Sequence, residues 1–308
     1  MEFAFTPEQE ELREQARSYL AANEEPSWSD LAKLGWTGVS VAEEHGGAGL
    51  GFLEEAVLFE ELGRALYHGP YFSTVALVLP ALPTVQQAEV AAGTASWTLS
   101  SDGLAPDLDT ATRVAAVDTD GIFDLEGGKR ELRGTIDETR PLGTVVGGVP
   151  GRRLADATLL PALGLRGRVA LALEACGVGR RALEYAVEHA TTREQFGRKV
   201  GSYQAVAHPL ASSYLELELA RSLALWAAWC LAVDDDRLQL AATAAKAQCA
   251  EAAVASCERA IQAHGGIGFT WEHILHRLYK RALWIQSWDA SGSELRAEVA
   301  ASLLDEGA

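Results

Sequence analysis

The chain has 308 residues, 48% hydrophobic and 22% charged, an ordinary globular balance with length enough for two or three domains. Its 43 Asp and Glu outnumber 26 Lys and Arg, for a formal charge of −17. A field of that sign repels phosphate backbones and anionic lipid, which argues against nucleic-acid and membrane-surface roles. It also repels any phosphate-bearing small molecule, so a site for one needs its own arginines.

Cys176, Cys230, Cys249 and Cys257 fall in helical-looking sequence with no CxxC pair. They read as small buried hydrophobes in a reducing compartment, and no metal site is expected. The opening Met-Glu-Phe turns acidic where a leader would carry a basic region, and the apolar run Leu223 to Val233 is too short for a bilayer. The expected location is cytoplasmic.

From Thr6 to about Tyr67 the patterning is helical. Thr6-Pro7-Glu8-Gln9 combines an N-cap, a proline at the first helical position and acid in the first turn, and Leu12, Ala16, Tyr19 and Leu20 follow at helix spacing. Glu43 through Gly51 is too glycine-rich for regular structure and predicts a loop, with a second helix over Leu53–Leu66. Between Pro70 and Pro150 the texture changes. One or two short helices fit between Val75 and Ala92. Short runs at Ser96–Ser100, Arg113–Val117, Ile122–Leu125 and Thr144–Val146, punctuated by Asp, Gly and Pro, then predict a small sheet. From Leu159 to Leu304 the chain is helical again, with long segments at Gly167–Thr191, Tyr203–Val233, Leu238–His264 and Glu272–Ser287 that predict an antiparallel bundle. The expected organisation is a mainly α chain with an N-terminal helical domain (1–70), a reduced middle β domain (71–157) and a C-terminal four-helix bundle (158–308).

Two segments are more specific. Arg193-Glu194-Gln195-Phe196-Gly197-Arg198-Lys199 continues through Val200-Gly201-Ser202-Tyr203-Gln204 to His208, joining two long helices by a basic, glycine-punctuated turn. Gln262-Ala263-His264-Gly265-Gly266-Ile267-Gly268-Phe269-Thr270-Trp271-Glu272 has three glycines in four positions after a long helix, where backbone can approach a ligand closely. Arginine forks and bare amides suit a pyrophosphate. Alone, each segment has a structural alternative: Arg193 as a helix-dipole partner and Gly265-Gly266 as an ordinary C-cap.

In this order and separation the two segments resemble the C-terminal domain of the acyl-CoA dehydrogenase family. Leu34-Gly35-Trp36, Glu43 through Gly51 and Glu60-Glu61-Leu62-Gly63 resemble its first domain, so that the likeness spans about residues 3–70 and 160–285. The resemblance implies a helical–β–helical fold and an FAD lying at a dimer interface, with its adenosine end held by the neighbouring subunit. It assigns Arg193 and Phe196 to the diphosphate and adenine side, Gln204 to another cross-dimer contact, and Gln262, Gly265 and Gly266 to the segment against the adenosine pyrophosphate. Arg168 matches a family arginine and equally reads as a helix-surface salt bridge.

The resemblance breaks in two places. Thr98-Leu99-Ser100-Ser101-Asp102-Gly103-Leu104-Ala105-Pro106-Asp107 stands where active members hold the flavin ring and acyl-CoA with a Thr-Glu-Pro…Gly-Ser-Asp segment, and only Gly128-Lys129 remains of a Gly-x-Lys signal. The middle region is several tens of residues short. The family's glutamate base falls on Asp289, within Trp288-Asp289-Ala290, and the alternative base position on the first long helix is Gly167. A carboxylate misplaced by about 1 Å costs on the order of a hundredfold in rate.

Kept adenosine-end motifs with eroded ring-end motifs resemble the small subunit of heteromeric actinobacterial dehydrogenases acting on steroid side-chain CoA thioesters, and Trp271 through Ala282 resembles that branch too. The resemblance implies no catalytic residue here and an α2β2 assembly with a larger, base-bearing subunit. It also implies an acyl-CoA substrate and an electron-transfer flavoprotein as acceptor. Two other readings stand beside it: a self-sufficient flavoenzyme using Asp289, as a nitroalkane-oxidase-like relative uses aspartate, and an assembly protein that has lost FAD.

Overall fold

The computed structural model describes residues 5–305. Helices, then small sheets, then long helices follow one another as the patterning predicts. The chain divides into two compact units: one takes Pro7–Leu58 and Tyr67–Ala170, the other takes Phe59–Leu66 and the chain from Leu171 onward.

In the first unit, α1 (Pro7–Ala22) begins at the proline placed there by its fixed φ and buries Gln9, Ala16 and Leu20 along one stripe. The short α2 (Trp28–Lys33) is set by a capping box, Ser27 accepting from the Asp30 amide while Asp30 accepts from Ser27. Glu43–His45 makes one 3₁₀ turn where a plain loop is expected, and Gly46 and Gly49 then turn the chain at φ 82° and 62°. The helix α3 (Phe52–Ala65) follows. Phe72–Val78 forms a fully buried π-helical turn, and α4 (Thr84–Ala91) completes the helical part.

The β region holds β1 (Trp97–Ser100), β2 (Ala105–Pro106), β3 (Arg113–Asp118), β4 (Gly121–Glu126), β5 (Lys129–Arg133), β6 (Leu142–Val146) and β7 (Val149–Asp156). One sheet has the order β1-β3-β4-β7 with β1 parallel to β3, and the other has the order β2-β6-β5. The strands β5 and β7 are absent from the sequence expectation for physical reasons. The edge strand β5 is Lys-Arg-Glu-Leu-Arg, with no apolar alternation to read. The strand β7 carries Pro150 and Gly151 and pairs with β4 through irregular register. A small core of Ala105, Leu108 and Val114, with Leu125 and Val145 against it, holds the region. It is tied by a buried Arg140–Asp107 ion pair at 3.6 Å, and Arg140 also lies over the Phe72 ring at 5.0 Å.

The long helices are α5 (Leu160–Thr192), α6 (Gln204–Ala232), α7 (Leu238–His264), α8 (Leu275–Ser287) and α9 (Gly292–Asp305), with a two-residue hairpin of β8 (Glu194–Gln195) and β9 (Arg198–Lys199) between α5 and α6. Register shows their directions. The Cys176 thiol meets that of Cys249, the Ser256 hydroxyl donates to the Gly179 carbonyl at 2.9 Å, and the His189 ring stacks on His264. Numbers rise together, so α5 and α7 run parallel and end at the same end of the bundle. Between α6 and α7 the numbers run oppositely: Arg259 forks onto Glu216 at 2.7 and 2.9 Å, while the Cys249 thiol reaches the Ala220 carbonyl at 3.2 Å.

Two glycines let the C-terminal part of α3 lie directly on α5. A Cβ on Gly177 would stand 1.9 Å from the Glu60 carbonyl oxygen, and one on Gly63 would stand 2.4 Å from that of Glu174. Charges flank this crossing in paired form: Arg221 forks onto Glu60 at 2.7 and 3.1 Å, and the fully buried Arg281 donates to Glu174. Removing one member of such a pair strands the other, so these pairs fix the geometry of the crossing. Among the described residues no helix is long and apolar enough to cross a membrane.

Exchanging glycine for alanine in an open helix stabilises it by about 1 kcal/mol. At Gly177 the added methyl meets backbone, and overpacking of that kind destabilises by about 1–3 kcal/mol. Urea unfolding of Gly177→Ala should show that loss, whereas Gly164→Ala, in the same helix with nothing within 4 Å of its Cβ, should be neutral or stabilising.

Candidate functional site

The parallel ends of α5 and α7 bring the two singled-out segments together. Arg193 lies one turn beyond His189, its amide bonding the His189 carbonyl at 2.9 Å, and Gly265 directly follows His264. The His189 and His264 rings stack with centroids 4.4 Å apart and planes at 28°. His273, in the segment leading into α8, lies 4.5 Å from His264, and its ring meets Tyr185 edge-on at 5.5 Å. This histidine stack was missed in the sequence because its members are brought together only by helix register.

Beyond Arg193 the chain forms a tight hairpin. Phe196 and Gly197 at its tip have φ 54° and 77°, the left-handed pair that a two-residue turn requires. Asn or Asp ordinarily fills the first position, and a bulky residue there is strained. Phe196 is moreover 93% exposed. Exposure and strain together give the fold no reason to keep a phenylalanine. The hairpin is braced by Lys199, which bonds the Thr192 carbonyl at 3.1 Å and pairs with Glu194 at 2.7 Å, and by Arg198 over the Tyr203 ring at 3.9 Å. Gln204 opens α6 and is exposed, as is Gln262 in the last turn of α7.

The three glycines after α7 have different causes. Gly268 is a packing glycine, since a Cβ would stand 2.6 Å from the Ile261 carbonyl. Gly265 serves the turn, with φ 64° and ψ −137°. Gly266 has neither reason: its φ is ordinary and nothing lies within 4 Å of its Cβ position. A bare backbone at an exposed position, facing no part of its own chain, suits approach by an external group. Phe269 and Trp271 beside it are 76% and 74% exposed, and Lys280 lies over the Trp271 ring at 4.4 Å.

A family model described as acyl-CoA dehydrogenase, C-terminal domain, matches residues 164–304, and one described as its N-terminal domain matches 6–87. The acyl-CoA dehydrogenase IpdE2 of Mycobacterium tuberculosis is 32% identical over 277 residues, 84% of this chain and 80% of that protein. This chain belongs to the acyl-CoA dehydrogenase family. A solved structure described as the Tcur3481-Tcur3483 steroid ACAD G363A variant has a chain that matches at TM-score 0.85 and 28% identity, covering 97% of this chain and 98% of that one. A chain of the ChsE4-ChsE5 complex from Mycobacterium tuberculosis has the same fold at TM-score 0.88 and 21% identity, with complete coverage of both. FAD is the cofactor of the family.

The residues that the resemblance assigns to the adenosine end have chemistry that suits the cofactor. Arg193 offers an exposed guanidinium, Phe196 an unpacked ring for a base, and Gly265 and Gly266 offer backbone with room beside it. At the ring end the stretch from Thr98 is turned inward. Thr98 is fully buried with its hydroxyl donating to the Pro106 carbonyl, and Ser101 and Leu104 exchange backbone bonds of 3.0 and 2.9 Å across Asp102-Gly103. Asp102 and Gly103, at φ 51° and 77°, make a tight turn within this stretch. Arg168 is half-buried on α5 and engaged in the chain's own contacts.

The two base positions that the resemblance points to have different surroundings. Gly167 is buried, with Leu77 2.8 Å from its Cβ position, so no carboxylate fits there without displacing Leu77. Asp289 is exposed at φ 70° in the connection between α8 and α9, just before Ser291 caps α9 through reciprocal bonds with Glu294. Removing a true general base lowers rate by about 10²–10⁴-fold. Asp289→Asn should instead leave acyl-CoA-dependent dye reduction by the assembled enzyme within about threefold of wild type, a barrier change under 1 kcal/mol. A hundredfold loss with flavin retained would place the base on this chain.

Proposed function

We propose that this chain is the small subunit of a heteromeric FAD-dependent acyl-CoA dehydrogenase. It supplies adenosine-end contacts to a flavin whose ring and substrate lie in a larger, base-bearing partner. Phe196 carries the reading. A strained, almost fully exposed phenylalanine beside an exposed arginine is explained by a base and pyrophosphate that arrive from another subunit.

In this assembly FAD, when bound, would supply a hydride acceptor for the β-carbon of the thioester, and the α-proton would go to a carboxylate of the partner subunit. The work of this chain is to bind and orient. Arg193 holds the diphosphate, Phe196 covers the adenine, Gln204 and Gln262 donate from the first turn of α6 and the last turn of α7, and Gly265 and Gly266 let the backbone close on the pyrophosphate. In this reading the subunit carries no chemistry of its own, which the inward-turned segment from Thr98 and the close packing at Gly167 support. The likeness to a chain of the Tcur3481-Tcur3483 steroid ACAD supports an α2β2 heteromer and a steroid side-chain CoA thioester as substrate. An electron-transfer flavoprotein is the expected electron acceptor. Four free, buried cysteines accord with a cytoplasmic location.

Arg193→Ala in the assembled complex removes a charge-assisted contact, bidentate where the fork is used, worth about 1.5–3 kcal/mol. FAD affinity should therefore fall roughly ten- to a hundredfold, with Arg193→Lys recovering only part because an ammonium cannot fork. Equilibrium titration of the flavin-stripped complex reads this directly. An alanine variant of unchanged affinity and unchanged complex size would reassign Arg193 to structure.

A further inference from the structure

The stack of His189, His264 and His273 joins the two helix ends from which Arg193 and Gly265-Gly266 project. Its chemistry is unusual for a structural contact. Three imidazoles joined through His264 repel one another once charged, and the groups facing them are Arg193 on the α5 side, His276 on the α8 side, and Tyr185 beneath, with Arg181, itself paired with Glu184 at 3.2 Å, over the Tyr185 ring at 4.1 Å. Burial first, then His264 and Arg193, hold His189 below the ordinary histidine range. Burial, then His264, His189 and His276, do the same for His273.

The hydrogen bonds fix two ring nitrogens. The Nδ1 of His264 lies 2.8 Å from the Ala260 carbonyl and donates to it. The Nδ1 of His273 accepts from the Leu275 amide at 3.2 Å, so its proton sits on Nε2. The cluster, with His189 stacked on His264 and His273 tilted against it, lies between two segments suited to a pyrophosphate, where a proton on His189 or His273 would meet an anion.

We propose that the cluster of His189, His264 and His273 forms part of the dinucleotide-binding surface and that His189 or His273 takes up a proton when the pyrophosphate binds, so that the chain's hold on FAD is linked to pH. The inference rests on the adenosine-end reading above. The linkage has a definite sign. An anion beside the stack favours the imidazolium, so the bound form keeps its proton to higher pH than the free form. Affinity therefore rises as pH falls through that window and is lost as pH rises above the bound-state value. The free chain behaves oppositely. Its depressed histidines bind fewer protons than the unfolded chain below the ordinary histidine range, so acidification there weakens the folded state.

The test uses the co-purified complex, stripped of flavin and titrated calorimetrically with FAD between pH 6 and 8 in two buffers of different ionisation enthalpy. We expect net uptake approaching one proton per FAD, with Kd falling by up to about tenfold per pH unit within the linked window. His189→Gln should flatten that slope. FAD binding with no buffer dependence and a pH-independent Kd would overturn the linkage and leave the adenosine-end reading intact. A complex that binds no FAD at any pH would overturn both.

Discussion

The parallel packing of α5 on α7 is the constraint on which the site depends. Three contacts set its register: the Cys176 and Cys249 thiols, the Ser256 hydroxyl on the Gly179 carbonyl, and the His189–His264 stack. Gly179 permits the approach, because a Cβ there would stand 2.6 Å from Leu217 and 3.0 Å from the Ala253 Cα. Alanines along α7, buried at 241, 242, 245, 247, 250, 252, 253 and 260, keep its surface thin enough for helices to close on it. A slide of one helical turn, about 5.4 Å, would separate Arg193 from Gly265 and dissolve the shared surface. Packing far from any ligand thus decides whether a ligand surface exists.

The same economy explains how a chain of charge −17 offers a surface for an anion. Most of its arginines are engaged by acids within the fold, as Arg221 is by Glu60, Arg281 by Glu174 and Arg259 by Glu216. At the end of α5 the pattern changes: Arg198 is stacked on Tyr203 and Arg193 stands exposed, with the histidine stack behind. Local positive charge outweighs a distant negative field that salt screens within about 10 Å. In the proposed reading, binding and chemistry have come apart in this molecule. The backbone that would cradle a flavin ring is folded into a tight turn of its own, while the adenosine end is unpacked and open.

Much of the fold is legible in the sequence where the signal is local. The bounds of α7 follow from an alanine-rich run ending at Gly265; three expected strand runs lie within β3, β4 and β6, and the fourth, Ser96–Ser100, begins one residue before β1. The polar edge strand β5 and the irregular β7 were hidden because neither alternates. The capping box at Ser27 and Asp30 marks α2, but a helix of six residues buries too little to leave a periodic pattern. At the site, the residue types of the two motifs are readable, and so is the departure at Thr98 through Asp107. The strain at Phe196, the division of labour among Gly265, Gly266 and Gly268, and the histidine stack are not. Each depends on backbone angles or on contacts between residues some seventy-five positions apart (189 and 264).

The claim at the centre of this account is that the chain holds half of a flavin site. Flavin absorbance per polypeptide, measured on the chain expressed alone and on the chain co-expressed with its base-bearing partner, tests that claim most directly. Half a site binds weakly, so the isolated chain should purify essentially colourless, and the complex should carry one FAD for each pair of unlike subunits. Stoichiometric FAD in the isolated chain would contradict the account.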